Sequence, residues 1–146
     1  MQQFTLLSHT ADIKIHATAD TKEQIFSAAL HGMFCCMRSS HEFCRDDVAG
    51  DRFLDNCIER PVKVESGDIG ALLVDFLSLA LSYADVYDEA YFDVTVNELT
   101  ETSLDATLKG VKVEGYDGVE IKAVTYHDLK FEKTEKGFSA EVVFDI

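Results

Sequence analysis

The stretch Asp12-Ile13-Lys14-Ile15-His16-Ala17-Thr18-Ala19 alternates polar and apolar side chains over its whole length. A period of two residues is typical of a β-strand that has one face on the core and the other in water. We therefore predict a strand here, with Asp12 at its start.

Two helices are predicted from capping signals followed by apolar side chains at helical spacing. Thr21-Lys22-Glu23-Gln24 fits a capping box, in which the threonine hydroxyl and the glutamine side chain each bind one backbone N–H. It predicts a helix from about Lys22 to Met37. Asp68 is placed to cap a second helix from Ile69 to about Ala84, which is apolar over most of its circumference and so is expected to be central and buried.

The rest of the chain is dominated by strand patterns. Pro61 beside Val62-Lys63-Val64 indicates an edge strand or a strand start. Further strands are predicted near 92–96, 104–113, 124–131 and 138–144, with a bulge near His127 and Asp128. Residues 39–57 have no clear period and are interpreted as a loop. These elements predict an α+β fold, in which one mainly antiparallel sheet is packed by two helices in a two-layer single domain covering residues 1–146.

The composition is strongly acidic, with 13 Lys and Arg against 27 Asp and Glu and a formal net charge of −14. Such a surface repels phosphate backbones, so direct nucleic-acid binding is not expected. It attracts a basic partner or cations, or it serves solubility alone. We see no signal peptide, and no apolar run near the ~20 residues of a membrane span, so we expect a cytoplasmic protein without membrane contact.

The four cysteines, Cys35, Cys36, Cys44 and Cys57, form no CxxC pair. Thiols normally stay reduced in the cytosol, so we expect buried or idle thiols. A soft-metal cluster that includes His41 and Cys44 is the alternative.

Both ends of the chain carry acidic motifs, Ser8-His9-Thr10-Ala11-Asp12 and Phe144-Asp145-Ile146. If the two strands lie side by side, Asp12, Asp145 and the terminal carboxylate of Ile146 could converge. All three groups are anionic at neutral pH and repel one another unless a cation lies among them. Oxygen ligands of this kind favour Ca²⁺, Mg²⁺ or Mn²⁺ over Zn²⁺. For Asp12 alone, a carboxylate that caps a turn is the alternative.

Together with these two ends, the block Lys122-Ala123-Val124-Thr125-Tyr126-His127 resembles the archease family, small accessory proteins of RNA ligation. The resemblance implies a metal site formed by Asp12, Asp145 and Ile146. It also implies a non-catalytic activator of a GTP-dependent RNA ligase in tRNA splicing and RNA repair, which promotes guanylylation of the ligase and multiple turnover. The alternative is a chaperone-like modulator of RNA- or DNA-modifying enzymes such as methyltransferases.

Three further residues have open roles. His9 is a ligand, an orienting residue or a structural residue, and we favour the structural role. Lys122 balances the acidic cluster or is a surface lysine, and His127 is a general base or, as we favour, a structural or partner-contacting residue. Since the chain has no GxxxxGK[ST], GxSxG or HExxH motif, we do not expect an independent enzyme. Phe76, where the family often has tryptophan, and Lys14, where a small residue is frequent, depart from the family pattern.

Overall fold

The computed structural model of the protein describes residues 2–8, 12–38 and 57–146. In these ranges the elements, in chain order, are β1 (Gln3–Ser8), β2 (Asp12–Ala19), α1 (Lys22–Met37), β3 (Ile58–Glu65), α2 (Ile69–Tyr87), β4 (Glu89–Leu99), β5 (Ser103–Lys112), β6 (Ala123–Thr134) and β7 (Gly137–Asp145). The predicted loop at 39–57 lies, except for its last residue, outside the described residues.

The strands form two antiparallel sheets, of order β1-β2-β7-β6 and β3-β5-β4. The predicted α+β class, with antiparallel strands and two helices, is confirmed. The prediction of a single sheet is wrong, because a two-residue period shows which side chains face the core but not which strands pair. Strand β1 was not predicted, since its sequence QFTLLS lacks a clean alternation. The predicted edge position of the strand that contains Pro61 is confirmed by β3.

Helix α1 has the predicted limits and nearly the predicted cap. The backbone N–H of Gln24 donates to the hydroxyl of Thr21 at 3.2 Å, and the side chain of Gln24 accepts from the N–H of Asp20 at 3.2 Å. The second bond reaches one residue further back than in a standard capping box. The predicted apolar stripe of α1 is buried, and the helix contacts β2 of the first sheet and β4 of the second.

Helix α2 begins at the predicted cap, where the carboxylate of Asp68 accepts from the N–H of Ala71 at 2.8 Å. It continues to Tyr87, three residues beyond the predicted end. With 19 residues and a mean hydropathy of 1.7, α2 passes for a membrane span by length and composition alone, contrary to our expectation for the chain. Many of its large apolar residues, among them Leu72, Leu73 and Phe76, are buried in the fold, so core packing accounts for much of its composition. It contacts β6 of the first sheet and β3, β4 and β5 of the second, so both helices join the two sheets.

An ion pair between a buried carboxylate and a half-buried guanidinium connects the two edge strands of the smaller sheet. The carboxylate of Glu89, at the start of β4, is fully buried and accepts two hydrogen bonds from the guanidinium of Arg60 in β3, at 2.9 and 2.8 Å. The hydroxyl of Tyr91 donates a third at 2.7 Å. Burial raises the pKa of Glu89, but the bonds from Arg60 and Tyr91 outweigh it, so the pKa lies below its ordinary value.

We predict that Glu89→Gln destabilises the protein in a pH-dependent way. The charged form of Glu89 is favoured in the folded state, so its contribution is complete above the unfolded-state pKa of about 4.3 and is lost as the pH falls through the lower folded-state value. The free energy of unfolding of the wild type, from urea denaturation, should exceed that of the variant by about 3 kcal/mol at neutral pH. The difference should shrink in acid, whereas the exposed control Glu98→Gln should show almost none. A difference that does not change with pH would contradict the assignment.

Candidate metal centre

The two acidic strand ends lie side by side. Strand β2 pairs antiparallel with β7 from Asp12, opposite Asp145, to Ala19, opposite Phe138. Residues directly opposite each other in such a pair have their Cβ atoms about 4.5–5.5 Å apart and point to the same face of the sheet. The carboxylates of Asp12 and Asp145 therefore start from neighbouring positions on the face away from the helices.

The backbone of Asp145 is held on both sides. It faces Asp12 in β2 and Ala123 in β6, and its carbonyl accepts a hydrogen bond of 2.8 Å from the N–H of Lys122. The side chain of Asp145 is exposed, whereas Asp12 is half-buried and has one carboxylate oxygen shielded from solvent. The side chain of Ile146 packs against the core, which restrains the residue whose carboxylate is the third predicted ligand.

The donor set fits a hard cation. Within residues 2–8, 12–38 and 57–146, no three His, Cys, Asp or Glu side chains converge as a metal cluster. The predicted set has only two side chains, Asp12 and Asp145, and takes its third anion from the carboxylate of Ile146. Carboxylate oxygens suit Ca²⁺, Mg²⁺ and Mn²⁺, and the opposed pair supplies the negative charge that such an ion requires.

Lys122 lies next to Asp145, but its ammonium group does not pair with either aspartate of the acidic pair. Its backbone bonds to Asp145, but its ammonium group forms no ion pair with any described residue. It lines a cavity between α2 and the segment that precedes β6. The hypothesis that Lys122 neutralises the acidic pair therefore has no support in the geometry. His9, also a candidate supporting residue in the sequence, lies outside the described residues.

The predicted bulge in β6 is confirmed. The pairing with β7 jumps from Thr125 to Lys130, and between them Asp128 has a left-handed backbone with φ of 53°. His127 is 73% exposed on this bulge, and its Nε2 lies 3.4 Å from a carboxylate oxygen of Asp128. Its exposure agrees with a partner contact better than with a structural role inside the fold.

The bulge is tied to helix α2 through one carboxylate. The hydroxyl of Tyr126 donates to one oxygen of Asp75, and the hydroxyl of Ser66 donates to the other. Asp75 is part-buried, whereas the side chain of Tyr126 remains 56% exposed. The hydrogen bond to Asp75 is the main cause of a raised pKa for Tyr126, and burial and the charge of Asp75 add to it.

Sequence reasoning missed a charge network beside the acidic pair. Lys14 lies on the same face of β2 as Asp12, and its Nζ is 3.9 Å from carboxylate oxygens of both Asp128 and Glu141. Lys130 adds a third contact, to Glu141 at 3.7 Å. The alternation that places Asp12 and Lys14 on one face was visible in the sequence, but their partners in β6 and β7 were not.

Among the residues that the structure describes, the expectation of reduced thiols is wrong for Cys35. Cys35 is disulfide-bonded, whereas Cys36 and Cys57 are free. A disulfide depends on the distance between two cysteines in the fold, which their spacing in the sequence does not give. Burial raises the pKa of Cys36 to about 11, so this thiol is poorly reactive. Cys44 and His41 of the alternative soft-metal cluster lie outside the described residues.

The fold and the opposed carboxylates define a small α+β protein with two antiparallel sheets joined by two helices and an acidic strand end. Comparison with known proteins gives its family: the sequence profile of the Archease protein family matches residues 4–146. The chain is also 36% identical over 152 residues to Protein archease of Methanosarcina mazei, covering 99% of this chain and 97% of that protein. It therefore belongs to the archease family, and the resemblance seen in the sequence is confirmed.

Two solved structures have a similar fold. The solution structure of Methanobacterium thermoautotrophicum protein 1598 gives a TM-score of 0.69 with 24% identity, covering 98% of both chains. The second is the crystal structure of a Thermotoga maritima protein described as an archease and possible chaperone. Its TM-score is 0.62 with 20% identity, and the match covers 96% of this chain and 94% of that one. At these identities the likeness establishes the shared fold.

We predict that Asp75→Ala lowers the pKa of Tyr126 toward the ordinary tyrosine value of about 10, because it removes the carboxylate that holds the phenolic proton. NMR titration of isotope-labelled tyrosine side chains measures this change. Tyr116, whose pKa is raised mainly by burial, is the internal control and should keep its raised value. If the pKa of Tyr126 did not change in the variant, the hydrogen bond that connects the bulge to α2 through Asp75 would be contradicted.

Proposed function

We propose that this protein is a non-catalytic activator of a GTP-dependent RNA ligase in tRNA splicing and RNA repair. The single observation that carries the proposal is the placement of Asp12 directly opposite Asp145, in a chain that belongs to the archease family. In this proposal the protein acts in the cytoplasm and contacts the ligase, and it binds neither RNA nor a membrane.

The acidic pair is proposed to hold Ca²⁺, Mg²⁺ or Mn²⁺ together with the terminal carboxylate of Ile146. When bound, such an ion supplies positive charge next to the phosphates of GTP. Pairing of β2 with β7 fixes the two aspartates on one face, and packing of Ile146 against the core limits the freedom of the third ligand. The exposure of Asp145 leaves this end of the sheet accessible to a partner.

Activation without a catalytic side chain is physically reasonable for this reaction. In guanylylation, GMP passes from GTP to the histidine of the ligase and pyrophosphate leaves, so negative charge must be stabilised at the leaving group. Positioning and charge neutralisation are usually the largest contributions to such a step, and neither requires a nucleophile on the activator. The net charge of −14 also favours encounter with a basic surface around the ligase active site.

We predict that Asp12→Asn and Asp145→Asn each reduce the acceleration of ligase guanylylation by about tenfold or more, because each removes one charged ligand. The assay measures guanylylation of the ligase from the same organism, with catalytic amounts of each protein, and circular dichroism checks the fold. Glu98→Gln removes the same charge from the other sheet and should activate as the wild type does. Full activation by both aspartate variants would contradict the proposal.

We also predict that residues added after Ile146 weaken metal binding by about tenfold, since the terminal carboxylate becomes an amide and one anionic ligand is lost. Calorimetric titration with Mn²⁺ and Ca²⁺ compares the extended and unextended proteins. An extension that precedes Gln2 is the control and should leave the affinity unchanged. Equal affinities in all three proteins would remove Ile146 from the ligand set.

A chaperone-like modulator of RNA- or DNA-modifying enzymes, such as methyltransferases, is the second candidate. It is favoured by the likeness in fold to the Thermotoga maritima protein described as a possible chaperone. Suppression of aggregation by a holdase does not require a metal site. Equal suppression of methyltransferase aggregation by wild type and Asp12→Asn, without any ligase activation, would favour this candidate over the first.

A further inference from the structure

A cavity of about 710 Å³ opens between helix α2, the end of helix α1 and residues 116–122. We call it the α2 groove. Its apolar lining includes Met37 of α1, Leu81 of α2 and Ile121, and its polar lining includes Asp85, Glu120 and Lys122. The groove therefore combines a few apolar side chains with a lining that exposes more polar than apolar surface, which suits a ligand that has both charged and apolar groups.

One wall of the groove is preformed by backbone hydrogen bonds. Residues 117–119 donate their N–H groups to the last carbonyls of α1: Asp117 to Arg38 at 2.9 Å, Gly118 to Met37 at 2.9 Å and Val119 to Cys36 at 3.0 Å. The approach is so close that a Cβ on Gly118 would lie 2.4 Å from the carbonyl oxygen of Cys36. A wall fixed in this way does not have to be ordered when a ligand binds, which reduces the entropic cost of binding.

Both acidic and basic side chains line the groove. Asp85 and Glu120 are exposed, and neither forms an ion pair with the residues that the structure describes. Lys122 also lines the groove, and its N–H donates to the carbonyl of Asp145 in the candidate metal centre. One backbone hydrogen bond thus joins the lining of the groove to that centre.

An exposed apolar side chain extends this surface. Val86 is 68% exposed and follows Asp85 on α2, about one helical turn after Ser82, which also lines the groove. Such a residue beside the apolar side chains of the groove adds contact area for a partner.

We propose that the α2 groove binds a basic, partly apolar polypeptide segment of the partner protein. Lysine or arginine side chains of the segment pair with Asp85 and Glu120, and an aliphatic side chain contacts Leu81 and Ile121. Lys122 disfavours a basic residue of the segment beside its own ammonium group. The identification of this partner as the ligase rests on the proposed function, whereas the chemistry of the groove does not.

The first test uses the whole protein and a short synthetic peptide of alternating lysine and leucine. NMR titration should shift the amide signals of residues 81–86 and 116–122. The double variant Asp85→Lys with Glu120→Lys should bind the peptide about tenfold more weakly than the wild type. The double variant Glu98→Lys with Glu135→Lys makes the same change in net charge at exposed positions outside the groove and should lose less than about twofold.

Three results of this first test would overturn the proposal. Equal losses in both double variants would show attraction by net charge alone, and shifts that map outside the groove would place the binding elsewhere. Loss of self-association in the groove variant, measured by analytical ultracentrifugation, would show that a second copy of the chain occupies the groove.

The second test links the groove to the ligase. The groove variant should reach the same maximal guanylylation rate as the wild type but require about tenfold more protein to reach it, whereas Asp12→Asn should lower the maximum itself. If the wild type fails to activate the ligase, the proposed function is wrong. The peptide titration still tests whether the groove binds a basic segment. If the wild type activates and the groove variant behaves like the charge-matched control, the groove proposal is wrong and the proposed function stands.

Discussion

The antiparallel pairing of β2 with β7 is the constraint on which the rest of the structure depends. It forms the centre of the four-stranded sheet and pairs a strand from the first twenty residues with one from the last ten. One face of the pair supplies buried core residues such as Ile15 and Phe144, and the other carries Asp12 and Asp145. A slip of one residue would exchange these faces. The same register therefore fixes both the core and the candidate metal centre.

The pairing of Asp12 with Asp145 differs from the pairing of opposite charges elsewhere on the same face of the sheet. Farther along the same face, Lys14 and Lys130 neutralise Glu141, as is favourable for neighbours in a sheet. At the strand end two aspartates oppose each other instead, and like charges placed in this way are destabilising. Natural proteins tolerate such local costs chiefly where a site requires them. The contrast between the two halves of one face is therefore a physical argument for a functional role of Asp12 and Asp145.

Local signals in the sequence predicted the local structure well. The limits of α1 follow from the cap at Thr21 and a helical period, and the bulge in β6 follows from an odd step in the apolar pattern. The adjacency of Asp12 and Asp145 was a conditional prediction that the strand pairing fulfils. What could not be predicted depends on partners far apart in the chain. The ion pair between Arg60 and Glu89 and the division into two sheets are of this kind, because no periodicity in a single segment encodes them.

The sheet order also has a consequence for how the protein forms in the cell. During synthesis β2 can pair early with β1, but its other edge stays open until β7 is made, after the six elements that the structure describes between them. An open strand edge invites pairing with other chains. The polar side chains on one face of β2, which include Lys14 and His16, reduce this risk while the edge is open. Because the two aspartates meet only when β7 docks, any partner that recognises the pair selects chains in which β2 and β7 are already paired.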